Sequence, residues 1–210
     1  MPHGQRIAEL LLDIGAVKLS VSQPFTWVSG IQSPVYCDNR MIYSHPDARK
    51  FVVDAFVSRV HALPIPPDAI AGTATAAIGW AALVADRMHL PFVYVRSKAK
   101  DHGTKKMIEG DLKPDQQVVL IEDLISTAGS AITSVESLRE EGKATVTDVV
   151  AIFTYELPAA AEKAQQGRVM LHPLSTFSIL LEVAEEQGRI GKEEINLARR
   201  FIRDPSNWRS

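Results

Sequence analysis

Apolar positions spaced three and four apart open the chain: Ile7, Leu10, Leu11 and Ile14 make the stripe of an amphipathic helix over residues 6–14, with Gly15 as its stop. Residues 25–28 and 34–38 read as two short extended segments joined by Ser-Gly-Ile-Gln-Ser, a hairpin or an irregular strand pair. The pattern predicts a helix from Pro46 to about His61, with Ser44 as its cap and Pro64, Pro66 and Pro67 ending it. From there strand and helix alternate: a strand over 68–71, an alanine-rich helix over 76–88 and a strand over 91–95. Residues 97–115 are polar, with five lysines, two glycines and little apolar periodicity. That stretch reads as a loop with room for a short hairpin, interrupting the core rather than extending it. Residues 117–121 form an almost continuous apolar run, which fits a central parallel strand buried on both faces. A helix over 130–141, a strand over 146–153, a helix over 159–166, a strand over 169–172 and helices over 176–187 and 192–202 complete the pattern. Such alternation implies an α/β fold, a central parallel sheet flanked by helices.

Length and charge narrow the function classes. A chain of 210 residues fits one domain, 1–210, with small appendages. Its formal charge of -2 offers no electrostatic footprint for nucleic acid, so an anionic substrate must be met by local basic residues. Cys37 is the only cysteine, which excludes an intramolecular disulfide and a cysteine-based metal cluster and suits a reducing cytoplasm. No stretch approaches the ~18 apolar residues of a membrane span, and residues 1–15 lack the apolar core of an export signal. A soluble, cytoplasmic protein with no membrane partner is expected. His3, His45, His61, His89 and His172 have no paired metal spacing and read as surface or packing residues. No protein-held metal site is expected.

The chemistry concentrates in residues 118–130. An apolar strand ends in Glu122 and Asp123, a small-residue turn follows through Leu124, Ile125, Ser126, Thr127, Ala128 and Gly129, and a helix begins near Ser130. Small residues let backbone N–H groups converge on a phosphate, Ser126, Thr127 and Ser130 add hydroxyl donors, and the helix points its positive end at the anion. Adjacent carboxylates repel a phosphate in direct contact, so they are expected to face hydroxyl donors or a divalent cation. A ribose 5-phosphate carrying magnesium supplies both. The segment lacks the Gly-Lys-Ser/Thr ending of a Walker A loop and the Gly-x-Gly-x-x-Gly of a dinucleotide site. Taken alone, such acids also fit an ordinary strand end and the turn an ordinary helix cap. The whole string resembles the phosphoribosyl pyrophosphate signature of the type I phosphoribosyltransferases.

Two further segments resemble the orotate phosphoribosyltransferases of that family, and specifically the Bacillus-type branch. Arg96-Ser97-Lys98-Ala99-Lys100-Asp101-His102-Gly103 is similar to the catalytic loop in which Arg96, Lys100 and His102 reach the pyrophosphate, usually in the neighbouring subunit's site. Residues 25–40 are similar to the N-terminal hood that forms a flat wall for a planar pyrimidine, with backbone amides near Val35, Tyr36 and Cys37 turned to the base. Gly72 and Thr73 stand in a small-residue turn between a strand and a helix, positioned as a second anion cradle. Three departures stand out: Val28 where many relatives carry lysine, Ser97 where some carry another, and residues 153–156, where some place an arginine for the orotate carboxylate.

The resemblance implies a type I phosphoribosyltransferase fold with hood elements from about 1–40 and the C-terminal region. It implies transfer of ribose 5-phosphate from phosphoribosyl pyrophosphate to orotate, with magnesium as cofactor and a homodimer whose subunits share sites. The 5-phosphate then falls to residues 125–130 and the ribose hydroxyls to Glu122 and Asp123. The pyrophosphate falls to Gly72, Thr73, Arg96, Lys100 and His102, and orotate partly to Ser126. Lys100, Asp123, Arg96 and His102 become the catalytic group. Two alternatives stay open: a phosphoribosyltransferase for another nucleobase, and a non-catalytic regulator that senses phosphoribosyl pyrophosphate.

Overall fold

The structure is a computed structural model and describes residues 3–27, 30–98 and 106–209. Its centre is a six-stranded sheet built from β5 (Ala69–Thr73), β6 (Phe92–Val95), β7 (Ile108–Glu109), β8 (Gln117–Ile125), β9 (Thr145–Thr154) and β10 (Met170–Thr176), in the order β10-β9-β8-β5-β6-β7. All neighbours are parallel except β6 and β7. Residues 97–115 therefore do extend the sheet: Tyr94 pairs with Glu109 and Val95 with Ile108, which adds an antiparallel edge strand. Two residues are too short to show an alternating pattern, and their partner is distant in sequence.

Helices cover both faces. The strand interior is apolar on both sides, and successive side chains of β8 go to opposite cores. Val119 and Ile121 enter a core with Trp80, Phe56 and Val84, from α2 (Pro46–His61) and α3 (Ile78–Met88), together with α1 (Gly4–Asp13), α6 (Phe177–Glu186) and α7 (Lys192–Arg203). Val118 and Leu120 enter a second core with Ala131, Val135 and Leu138 of α4 (Gly129–Glu140) and Ala164 of α5 (Pro158–Gln166). β8 is longer than its apolar run: it continues through both acids to Ile125, paired with β9 as far as Thr154.

The N-terminal region pairs differently from the simple hairpin its two extended segments suggested. Phe25–Thr26 (β2) pairs with Gln32–Ser33 (β3), whereas Val35–Cys37 (β4) pairs with Val17–Leu19 (β1), a strand that the pattern did not reveal. A 3-10 helix, Asn39–Ser44, follows, so Ser44 is not the cap of α2; His45 holds that position with no side-chain cap bond, and Pro stands in the first turn. The hood is fastened to the core by aromatic rings. Trp27 lies 4.9 Å from Tyr155 and 5.7 Å from Phe201, and Phe201 lies 6.0 Å from Trp208, whose indole N–H donates to the Gln32 carbonyl at 2.8 Å. N- and C-terminal segments thus cover the same end of the sheet.

His172 is neither a surface residue nor a plain packing one. It is buried between Arg59 and Asp148, with Nδ1 2.6 Å from Arg59 Nη2 and Nε2 2.6 Å from Asp148 Oδ1. Arginine only donates, so Nδ1 accepts from Arg59 and Nε2 donates to Asp148. Among the described residues no helix is long and apolar enough to cross a membrane.

Gly72 marks where α3 seats on β5: a Cβ there would stand 2.8 Å from the Ala81 Cβ and 3.0 Å from the Ala77 carbonyl oxygen. Backbone and short side chain give no easy relief. Gly72→Ala is expected to cost about 1–3 kcal/mol by overpacking, a drop of roughly 2–12 °C in Tm at this chain length. Thermal unfolding followed by circular dichroism checks it; an unchanged Tm would show that α3 is not held this tightly.

Candidate functional site

Read in chain order, the parallel strands lie β6-β5-β8-β9-β10, so the connections reverse direction between β5 and β8. In an open α/β sheet, ligands bind beyond the carboxyl ends of the strands at such a reversal. Two turns leave the sheet there. One follows Thr73 into α3; the other follows Ile125 into α4. Between them a cleft of about 300 Å³ is lined by Thr73, Ala74, Thr75 and Ala76, by Glu122, Asp123, Leu124 and Ser130, and by Cys37, Asp38 and Arg40.

The two acids at the end of β8 have different outer neighbours while their carboxyl groups stay in contact with each other. Glu122 continues on the α4 side, where its carboxylate accepts from the Ser130 hydroxyl at 3.2 Å and from the Asp123 backbone N–H at 3.0 Å. Asp123 continues on the hood side, where its charge is felt at Cys37, Arg40, Tyr43 and Tyr155. Its carbonyl accepts from the Asn39 side-chain amide at 2.6 Å. Burial pushes the Glu122 carboxyl up to about 8, with the neighbouring Asp123 charge adding to it. Burial also raises Asp123, opposed by hydrogen bonds to its charged form. The pair therefore favours one shared proton, and hydroxyl donors or cations brought by a ligand favour losing it.

The turn after β8 is open to an anion. Ala128, the residue before α4, takes φ +60 and ψ +10 and offers no side-chain cap to the first-turn N–H groups. A methyl side chain in this left-handed conformation is mildly strained, and it leaves the helix N-terminus uncovered. The Ser126 and Thr127 side chains make no hydrogen bond among the described residues, while Ile125 is buried beneath them. Lys163 of α5 also comes close: its Nζ is 3.4 Å from where a Cβ on Gly129 would stand. Nothing in residues 118–130 hinted at that lysine, because it approaches from the next helix but one along the chain.

The Thr73 hydroxyl is buried with no hydrogen bond of good geometry among the described residues, yet close enough to the Glu122 carboxylate to favour its charged form. Gly72 itself is occluded by α3 and does not line the cleft. Tyr43 holds the 73–76 turn from behind, donating to the Ala76 carbonyl at 2.7 Å and stacking on Trp80 with ring centroids 4.5 Å apart. Gly79 makes room for it, since a Cβ there would meet the Tyr43 hydroxyl at 2.7 Å.

The remaining predicted residues divide. Arg96 does not line the cleft; its Nη1 bonds to Glu109 at 3.2 Å and its Nε to the Lys98 carbonyl at 3.2 Å. Lys100 and His102 lie outside the described residues, as does Val28. The Val35 side chain is buried, and its N–H already donates to the Ser33 hydroxyl at 3.2 Å. The Cys37 N–H donates to the Tyr155 hydroxyl at 3.1 Å. Those two amides are therefore engaged within the protein rather than open to a base, while the Tyr36 side chain is exposed. Burial, reinforced by Asp123 and Asp38, pushes the Cys37 thiol well above its ordinary value, so it stays protonated and is no nucleophile. The sequence pattern missed Asp38, Asn39 and Arg40 as site residues; they follow a two-stranded pairing that it did not reveal.

No three His, Cys, Asp or Glu side chains converge on a metal position among the described residues. Two neighbouring carboxylates and a buried hydroxyl do match magnesium's habit of keeping most of its shell for water and substrate oxygens.

The model of the phosphoribosyl transferase domain family matches residues 39–181. The orotate phosphoribosyltransferase of Bacillus cereus is 49% identical over 203 residues, covering 97% of this chain and 96% of the relative. That of Coxiella burnetii is 44% identical over 208 residues, covering 99% of each. Among solved structures, the orotate phosphoribosyltransferase of Aeropyrum pernix superposes with a TM-score of 0.74 at 30% identity, covering 88% of this chain and 99% of its own.

The Glu122 proton gives a test of the site in the protein without substrate. In the unfolded chain this carboxyl titrates near 4.5 and in the folded one near 8, so the folded state holds the extra proton between these values. Its stabilisation is complete below pH 4.5 and is lost as pH rises through 8. Glu122→Gln, neutral throughout, is expected to match the parent Tm near pH 5. At pH 9 it is expected to exceed the parent by about 3 °C or more, equivalent to roughly 1 kcal/mol. Equal Tm values at both pH values would contradict the buried, proton-holding Glu122.

Proposed function

The chain belongs to the orotate phosphoribosyltransferase family, and from that premise we propose how its cleft transfers the ribose 5-phosphate group. The reaction takes phosphoribosyl pyrophosphate and orotate to orotidine 5'-monophosphate and pyrophosphate, a step of UMP biosynthesis. The observation that carries the assignment of residues is the pairing of Glu122 and Asp123 with an uncapped small-residue turn into α4, facing the 73–76 turn across the cleft.

The 5-phosphate sits on the N–H groups of residues 125–130, with the Ser126, Thr127 and Ser130 hydroxyls and the Lys163 ammonium beside it. The ribose hydroxyls donate to Glu122 and Asp123, which lose their shared proton as they accept. Pyrophosphate lies against the Thr73 hydroxyl and the 73–76 turn. Gly72 contributes by its missing side chain, which lets α3 close on β5 and fixes the turn. As C1 of ribose gains oxocarbenium character, N1 of orotate attacks from the opposite face, with inversion. Arg96, Lys100 and His102 neutralise the departing pyrophosphate. Ser126 faces orotate, and the Val35–Tyr36 strand supplies the wall behind the base through side chains and packing, since the Val35 and Cys37 N–H groups are engaged.

Magnesium brought with the donor would be met by the Glu122 and Asp123 carboxylates and would supply positive charge against the leaving group. Residues 1–210 work as one phosphoribosyltransferase domain. A homodimer in the cytoplasm is part of the same reading, supported by the catalytic-loop resemblance, in which Arg96, Lys100 and His102 serve the neighbouring subunit's site, and by Arg96 standing outside its own cleft.

Absorbance assays with orotate, phosphoribosyl pyrophosphate and magnesium, run beside uracil, adenine and hypoxanthine, test the acceptor. Orotate alone is expected to be consumed; consumption of a purine in its place would sink the reading. Lys100→Ala is expected to lower kcat on the order of 10²–10³-fold with Tm unchanged, as for loss of one preorganised charged donor at a leaving group. An unchanged kcat would remove the loop from catalysis. Asp123→Asn is expected to impair use of phosphoribosyl pyrophosphate in a folded protein, and parental kinetics would end its role.

A further inference from the structure

Orotate differs from uracil by one carboxylate, and a site that prefers orotate needs a cation for it. Residues 153–156 offer none. Tyr155 is locked in the aromatic cluster, with its hydroxyl accepting from Cys37. Glu156 turns the backbone with φ +59 and its carboxylate accepts from the Ser178 N–H at 2.7 Å, tying it to α6. Among the described residues lining the cleft there are three acids, Asp38, Glu122 and Asp123, and one cation, Arg40.

We propose that Arg40 neutralises the orotate carboxylate and thereby sets the preference for orotate over uracil. This rests on the acceptor named above. Its position is the first reason. Cys37 ends the hood strand β4, and Asp38 and Arg40 follow it into the same cleft that Glu122, Asp123, Leu124 and Ser130 line from β8 and α4. An acceptor approaching C1 from the face opposite to pyrophosphate meets the hood wall.

Rigidity is the second reason. The 3-10 helix carrying Arg40 is pinned to β8 by Asn39 bonding to the Asp123 carbonyl, and to the 73–76 turn by Tyr43 bonding to Ala76. Asp38 caps it, accepting from the Arg40 N–H at 3.2 Å. The backbone is thus held against both substrate turns, while the Arg40 side chain stays 64% exposed.

Chemistry is the third. The Asp38 carboxylate grips the guanidinium at two points, Nε at 2.6 Å and Nη2 at 3.0 Å, and Nη1 has no hydrogen-bond partner among the described residues. A planar fork oriented in this way by one carboxylate presents a free edge to a second, the geometry in which arginine outperforms lysine. Uracil leaves that edge unmet. Because exposed ion pairs contribute little by themselves, sharing Arg40 between Asp38 and a substrate carboxylate costs little.

The products separate this role from any other: orotidine 5'-monophosphate carries the carboxylate and UMP does not. Calorimetric titration of each into the full chain with magnesium present is compared for the parent, Arg40→Gln and Arg40→Lys. Arg40→Gln is expected to weaken orotidine 5'-monophosphate about 10- to 100-fold, the scale of a hydrogen bond to a charged group, and to leave UMP binding unchanged. Arg40→Lys is expected to recover part of the loss. In turnover, the KM for orotate is expected to rise with little change in the KM for phosphoribosyl pyrophosphate. Equal weakening of both nucleotides, unchanged binding of both, or a rise confined to the phosphoribosyl pyrophosphate KM would overturn the assignment to Arg40 while leaving the reaction intact. A parent chain that neither binds orotidine 5'-monophosphate nor consumes orotate overturns the function and this inference together.

Discussion

A strand buried on both faces cannot end in two carboxylates without something to meet them, and the cleft is organised around that constraint. β8 sends Val119 and Ile121 into one core and Val118 and Leu120 into the other, so its position is fixed by apolar contacts on both sides. At its end Glu122 meets Ser130 of α4 and Asp123 acts on the hood residue Cys37, while the two carboxyls remain in contact. Burial makes two bare charges side by side costly, and the pair answers by holding a proton until a ligand replaces it. Hydroxyl-rich ligands with cations are the partners that relieve this cost. The position of the acid pair is in this sense a property of where the strand stops being apolar.

The hood depends on a different interaction. Its strands are only two or three residues long and could not stand alone in water. They are held because Trp27 enters an aromatic group with Tyr155, Phe201 and Phe177, drawn from β9's end, α7 and α6. Tyr155 serves twice, packing its ring there and placing its hydroxyl under the Cys37 N–H. The position next to it in sequence, Glu156, is spent on α6. A segment committed to fastening the hood has no freedom to present an arginine, and the cation of the cleft comes from the hood itself.

Much of this was legible in the sequence, for physical reasons that also explain the misses. The helices and long strands follow from periodicities carried by a dozen or so local residues, so their limits were recovered to within a few positions. β8 ran further than its apolar run because pairing with β9, not hydrophobicity, continues it to Ile125. β1 and β7 were missed because a strand of two or three residues is defined by its partner, and β1's partner lies at residues 35–37. The small-residue turn between β8 and α4 was readable because its residues are contiguous. Arg40 and Lys163 were not, since each reaches the site from another element, and local patterns carry no record of such meetings.

His172 shows the same limit at the opposite end of the sheet. Asp148 and His172 sit near the starts of β9 and β10, away from the carboxyl ends that hold the cleft. There the imidazole joins the Arg59 guanidinium to the Asp148 carboxylate, so the acid and the base of that cluster are linked within the protein. At the cleft end the acids have no such internal counter-charge, and the one nearby arginine is only partly engaged by Asp38. Both clusters obey one rule, that buried charge must be matched. They differ in whether the protein or the ligand provides the match, and that difference distinguishes a structural network from a binding site when composition and spacing look alike.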